Sequence, residues 1–108
     1  MENKNDRVNE KKVLEVRERE EIIKISKAIS KTRYKILKII ANGGKSIREI
    51  ANKLNFKEPN ISAHIKTLKE AGLVKIYYRP GTHGVMSICT GIYDEIIFNI
   101  DSSLDDES

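Results

Sequence analysis

A mostly helical α+β fold is what the sequence predicts, with helices first and a two-stranded β-hairpin after them. Three observations carry this. Apolar residues recur at helical spacing from about Val13 to Leu68. Gly72 then follows, where a left-handed residue would close the last helix. Beyond it, Leu73-Val74-Lys75-Ile76-Tyr77-Tyr78 and Val85-Met86-Ser87-Ile88-Cys89-Thr90 have the β-branched and aromatic composition of strands.

Taken in order, residues 1–12 are polar, mixed in charge and without periodicity, so a disordered arm is expected. A long N-terminal helix is expected from about Val13, with Ile22, Ile25 and Ile29 as its stripe and Leu14 among the apolar residues upstream. A long helix ahead of a small domain either packs on that domain or meets a second subunit. Leu14, Ile22, Ile25 and Ile29 are therefore the candidate dimerisation residues. Ser30 or Thr32 can cap the next helix, Arg33 to Ala41, whose inward set is the Arg33 stem, Ile36, Leu37 and Ile40. Asn42-Gly43-Gly44 ends it.

Ser46 to Gly72 holds two short helical patterns with a tight break. Ile47, Ile50, Ala51 and Leu54 form the first stripe, and Ser46 with Glu49 makes a capping box ahead of it. Asn55-Phe56-Lys57 is the break, with Phe56 expected to plug the turn. Glu58-Pro59 opens the second helix, 58–71, because proline's missing N–H has no partner in a first turn anyway. Ile61, Ile65 and Leu68 point one way. Pro59, Ala63, Lys66 and Glu70 point the other, flanked by Asn60, Ser62 and Thr67. A helix that enters the DNA major groove needs such a face: short side chains, with hydrogen-bonding groups for bases and cations for phosphate. An ordinary helical hairpin with a solvated face would read the same way.

The hairpin weighs against that plainer reading. Helix, helix-turn-helix and β-hairpin in this order make a winged helix-turn-helix, with Arg79-Pro80-Gly81-Thr82-His83-Gly84 as the wing loop. Arg79, Thr82 and His83 could there reach flanking backbone or minor groove, although His83 could equally face only solvent. The candidate DNA contacts are Ser46, Lys57, Pro59, Asn60, Ser62, Ala63, Lys66, Thr67, Arg79, Thr82 and His83. Residues 91–100, GIYDEIIFNI, fit either a helix or a strand, and their isoleucine and aromatic content favours a strand. Residues 13–100 are expected to form one domain, and 101–108 an acidic disordered tail.

Charge supports a polyanionic partner. The chain carries a net +4, but residues 31–100 hold 12 basic against 5 acidic side chains, and residues 101–108 hold 4 acidic and none basic. The basic excess therefore sits where the helix pair and hairpin sit, as phosphate contact requires. No apolar run reaches the length of a membrane span, about 18 residues, and the charged start is no secretory signal. The single cysteine, Cys89, can form no internal disulfide and reads as a small buried hydrophobe. His64, at the edge of the Ile61/Leu68 stripe, reads as a packing or hydrogen-bonding group rather than a ligand. His83 and Cys89 would give two metal ligands where a structural zinc site takes four. No paired carboxylates, Ser/Cys–His arrangement or phosphate loop is visible, so an enzyme is not expected, and neither is a cofactor or a metal.

The stretches TRYKILKII and IREIANKLNFKEPNISAHIKTLKEAGLVK resemble the ArsR-like winged-helix regulators. The shared pattern falls on Thr32, Arg33, Ile36, Leu37, Ser62, His64, Ile65, Leu68, Ala71, Gly72, Leu73 and Val74, and the likeness spans roughly 20–90. The resemblance implies a cytoplasmic, homodimeric transcriptional regulator, a repressor, with the outward residues of 59–67 and the wing on double-stranded DNA. Metal sensors of this family carry paired cysteines on the first helix of the helix-turn-helix. Here that helix reads IREIANKL, and residues 91–108 contain no histidine, so a non-metal-sensing type is expected. PGTHGVMSICTGIYDEI also resembles a subgroup from anaerobic Gram-positive bacteria, in which such a phrase leads into a larger C-terminal domain. No such domain is among the 108 residues; a truncated and a naturally short chain both stay open. Sequence-specific DNA binding is the leading expectation. A winged-helix protein–protein interaction module without sequence-specific DNA binding is the alternative, and any small-molecule effector is unknown.

Overall fold

The computed structural model describes residues 10–101. Most of the arm and tail expected at 1–12 and 101–108 lies outside the described residues. The elements are β1 (Val13–Val16), α1 (Arg19–Ala28), α2 (Lys31–Ile40), β2 (Lys45–Ser46), α3 (Ile47–Leu54), α4 (Glu58–Glu70), β3 (Val74–Gly81), β4 (Gly84–Gly91) and β5 (Glu95–Phe98).

The α+β, mostly helical winged helix-turn-helix stands, with two corrections. The first concerns the long N-terminal helix. Val13–Val16 is a strand, and helix begins only at Arg19, after an extended Glu18. Val13-Leu14-Glu15-Val16 is rich in β-branched residues and pairs in parallel with β5, from Val13↔Glu95 to Val16↔Phe98. The approach is locked just upstream. The Lys12 N–H donates to Asp94 Oδ2 at 2.9 Å, the Asp94 N–H donates to the Lys12 carbonyl at 2.7 Å, and Lys11 pairs with Glu95 at 3.0 Å. Residues 91–100 accordingly contain a strand, the option their composition favoured.

The second correction concerns the wing. Residues 79–84 are mostly strand, not loop: the β3–β4 ladder runs from Val74↔Gly91 to Gly81↔Gly84 and leaves only Thr82-His83 as the turn. Pro80 is tolerated because β3 lies at the edge of the three-stranded antiparallel sheet β2-β4-β3. Gly84, at φ +109°, takes a backbone shape that a side chain would resist. The third strand is short. Lys45 and Ser46 pair with Cys89 and Ile88, which hinges the helix pair onto the wing.

Helix boundaries follow local chemistry. Ser30 caps α2, its hydroxyl accepting the Arg33 N–H at 3.2 Å, so this helix starts two residues before Arg33. The capping box of α3 is complete: Ser46 Oγ accepts the Glu49 N–H at 3.1 Å, and Glu49 Oε1 accepts the Ser46 N–H at 2.8 Å. Phe56 does not plug the turn, being 40% exposed. Asn55 makes the turn instead, in the left-handed region at φ 62°, a conformation asparagine tolerates better than most side chains. Gly72 closes the end of α4 at φ +81°. The core joins every helix to the base of the wing: Ile25, Ile36, Ile50, Ile61, Leu68 and Cys89 have essentially no exposed surface.

Ser46 is buried and its hydroxyl has one task, the cap. Ser46→Ala is expected to lower stability by about 1 kcal/mol, read in urea unfolding as a lower midpoint at an unchanged slope.

Candidate nucleic-acid interface

The interface is built on α4. Its thirteen residues span about 20 Å and seat Ile61, Ile65 and Leu68 in the core. With that stripe sealed, Pro59, Asn60, Ser62, Ala63 and Lys66 all stand exposed. Thr67 is half-buried and donates its hydroxyl to the Ala63 carbonyl at 3.4 Å. Lys57 is the exposed N-cap and supplies no side-chain cap, so the cationic end of the helix opens to solvent.

Beside this helix lies an open groove of about 820 Å³. Arg48, Glu58 and Ser62 line one side, and Thr82, His83 and Met86 of the wing line the other. The groove thus brings the wing-tip candidates together with Ser62 of α4. Arg79 is exposed lower on the wing. Its charge reaches Glu49, whose carboxyl lies below its ordinary value chiefly because it accepts the Ser46 N–H, with Lys45 and Arg79 adding to this.

Two sets of residues singled out from the sequence sit differently from expectation. Ser46 is 5% exposed with its hydroxyl tied into the cap, so among the DNA candidates it lines the groove without a free polar group. Ile25 is wholly buried in its own domain, and Leu14, Ile22 and Ile29 pack half-buried against the same core. The stripe of α1 therefore faces inward, while Ile23, Val13 and Ile97 remain exposed. Sequence reasoning also missed Arg48. This exposed residue of α3 lies 3.4 Å from Glu58 Oε2, at the foot of α4. The available signal was its place immediately after Ile47, off the buried stripe of a capped helix.

Behind the exposed face of α4, Arg33 links three helices. Its Nε–H donates to the Ala28 carbonyl at the end of α1, and its Nη1–H donates to His64 Nδ1 at 3.0 Å. Arginine stays protonated, so Nδ1 must accept and the neutral imidazole carries its proton on Nε2. Burial lowers the His64 pKa, and the Arg33 charge lowers it further. Burial likewise pushes the Cys89 thiol up to about 11, which suits a packing residue rather than a nucleophile. Among the described residues no His, Cys, Asp and Glu cluster could hold a metal, and no helix is long and apolar enough to cross a membrane.

Comparisons with known proteins agree with this geometry. Residues 30–75 match the family described as bacterial regulatory protein, arsR family. A homodimeric winged helix-turn-helix DNA-binding domain from Mycobacterium bovis, Mb0332, a possible ArsR-family transcriptional regulator, shares the fold. The NMR structure of its fragment 1–100 superposes at a TM-score of 0.59 with 22% identity, covering 84% of this chain and 71% of that one. A crystal structure of fragment 1–100 of a possible transcriptional regulatory protein from M. bovis gives 0.57 at 26%, over 67% and 74%. Reduced HlyU from Vibrio cholerae gives 0.58 at 21%, over 66% and 72%. A comparison with curated proteins gives no match. The chain has a winged helix-turn-helix fold, and its residues 30–75 match the arsR-family pattern.

Arg33 and His64 make stability depend on pH in a definite direction. As pH falls through the ordinary imidazole value of 6.5, the unfolded chain takes up a proton that folded His64 resists. Stability should therefore fall with pH from about 6.5 downward, and His64→Gln should flatten that slope. Urea unfolding from pH 8 to pH 5 checks both.

Proposed function

We propose that the chain is a homodimeric, sequence-specific regulator of transcription that binds double-stranded DNA and acts as a repressor. The observation that carries the reading is the division of α4. Its apolar stripe is buried while a small, polar and cationic face stands free beside a groove shared with the wing. A face of that kind can approach base edges, and the wing then lies along flanking backbone.

Asn60 and Ser62 are the proposed base-reading residues, with Pro59 and Ala63 providing the close approach. Lys57, Lys66 and Arg79 contact phosphate, joined by Thr67, Thr82 and His83. Homodimerisation is supported by the homodimeric M. bovis neighbour. Because the α1 stripe is used within its own domain, the second subunit would meet the exposed apolar residues Val13, Ile23 and Ile97 rather than Ile25. Two α4 helices would then read half-sites about 10 base pairs apart, or a multiple, on a pseudo-palindrome. Absence of the family's paired cysteines on α3 supports a type that senses no metal, and nothing about the site calls for catalysis.

In vitro selection from random duplexes, followed by gel-shift titration in rising salt, tests the reading. A preferred sequence is expected, with half-site symmetry. Lys66→Ala should weaken binding to every duplex and reduce the salt slope by about one unit. Asn60→Ala or Ser62→Ala should cost about 1–3 kcal/mol of discrimination between bases. Selection that returns no preferred sequence would overturn sequence-specific reading.

A further inference from the structure

A second cavity lies away from the DNA-facing side. It is a cleft of about 490 Å³ between α2 and the stretch from Thr90 to Ile96, within the roughly 300–1,000 Å³ of small-molecule sites. One wall is a side of α2 and its C-cap, where Tyr34, Leu37, Lys38 and Ala41 follow one another at i, i+3, i+4 and i+7 and the buried Ile40 also lines the cleft. Tyr93 and Ile96 stand opposite.

The charges on the cleft are unequal in what they leave free. Asp94 already accepts the Lys12 N–H at 2.9 Å, and Glu95 already pairs with Lys11 at 3.0 Å. Lys38 forms no ion pair among the described residues; its ammonium lies 5.9 Å from the centre of the Tyr34 ring. The cleft thus offers aromatic and aliphatic walls, a cation at Lys38 with no ion pair among the described residues, and a carboxylate at Asp94 that is engaged by the Lys12 N–H. We propose that it binds a small amphipathic carboxylate, the carboxylate on Lys38 and the apolar body between Tyr34, Leu37, Tyr93 and Ile96.

Its position couples it to the reading helix. The helix that forms its wall also carries Arg33, which holds His64 of α4 at 3.0 Å. A ligand that binds better to one orientation of α2 shifts α4 with it, and DNA shifts ligand affinity by the same factor. This coupling rests on the DNA-binding reading; occupancy of the cleft does not.

The test uses the whole chain and needs no duplex. Phenylacetate and octanoate are titrated against the protein, with phenethylamine as the cationic counterpart. Tyrosine emission and the unfolding temperature are followed, and the chain's lack of tryptophan leaves tyrosine as its emitter. At least one carboxylate is expected to bind at or below about 1 mM, and phenethylamine is expected not to bind. Lys38→Met keeps an apolar stem at an exposed position; it should weaken the carboxylate at least tenfold without changing the unfolding temperature of the free protein. Failure of both carboxylates to bind, equal binding of the amine, or an unaltered affinity in Lys38→Met overturns the proposal. The bound carboxylate is then added to a gel shift with the selected duplex. A changed duplex affinity is expected, and an unchanged one overturns the link to α4. A protein that binds the carboxylate but no duplex would instead sink the DNA reading and leave the cleft standing.

Discussion

Everything the molecule presents to its surroundings depends on the burial of one face of α4. Ile61, Ile65 and Leu68 are each at most 1% exposed. Burying three such side chains contributes about 1.5–3 kcal/mol apiece, far more than any polar contact on the opposite face. Rotation of the helix would have to expose them, so the direction of Asn60, Ser62 and Lys66 is fixed by residues that never meet a ligand. Arg33 refines what the stripe sets. It satisfies a carbonyl at the end of α1 and the imidazole of His64 with one guanidinium, so three helices share a polar joint at the margin of an apolar core.

Much of this was legible in the chain because the signals were local. The capping box needs only Ser46 and Glu49, the α4 stripe needs only its own spacing, and the end of α4 needs only Gly72. Strand composition after Gly72 was equally local, which is why the hairpin emerged from the residues alone. Its turn is shorter than its composition predicts because glycine and proline, usual marks of a loop, also occur where an edge strand reaches a two-residue turn. The first strand departs from the expected helix for a different reason. Val13-Leu14-Glu15-Val16 acquires its conformation from a partner some eighty residues away, and no spacing within the segment reveals that partner.

The candidate site shows the same division. Exposure of the α4 face followed from the position of its stripe, whereas the role of Ser46 depended on which of two demands its hydroxyl would meet, and the cap used it. Phe56 invited a packing role through its size, yet the turn is made by the left-handed Asn55 and the ring is left outside. Arg48 carried no motif. Its relevance arises from the meeting of α3, Glu58 and the wing in one groove, which only the assembled fold displays. The cleft beside Lys38 likewise has no local signal, since its walls come from α2 and from residues on either side of the start of β5.

The parallel pairing of β1 with β5 has a consequence for how the chain is made. Contacts closing so long a loop are slow to form, because chain entropy is lost before they reward it. The helix-turn-helix and the hairpin close over short separations. On a ribosome the helices can assemble while β5 is still inside the exit tunnel, with β1 waiting unpaired. The clasp between the two ends of the domain is then the last piece to form, and β1 stays open to a wrong partner until Phe98 has left the tunnel.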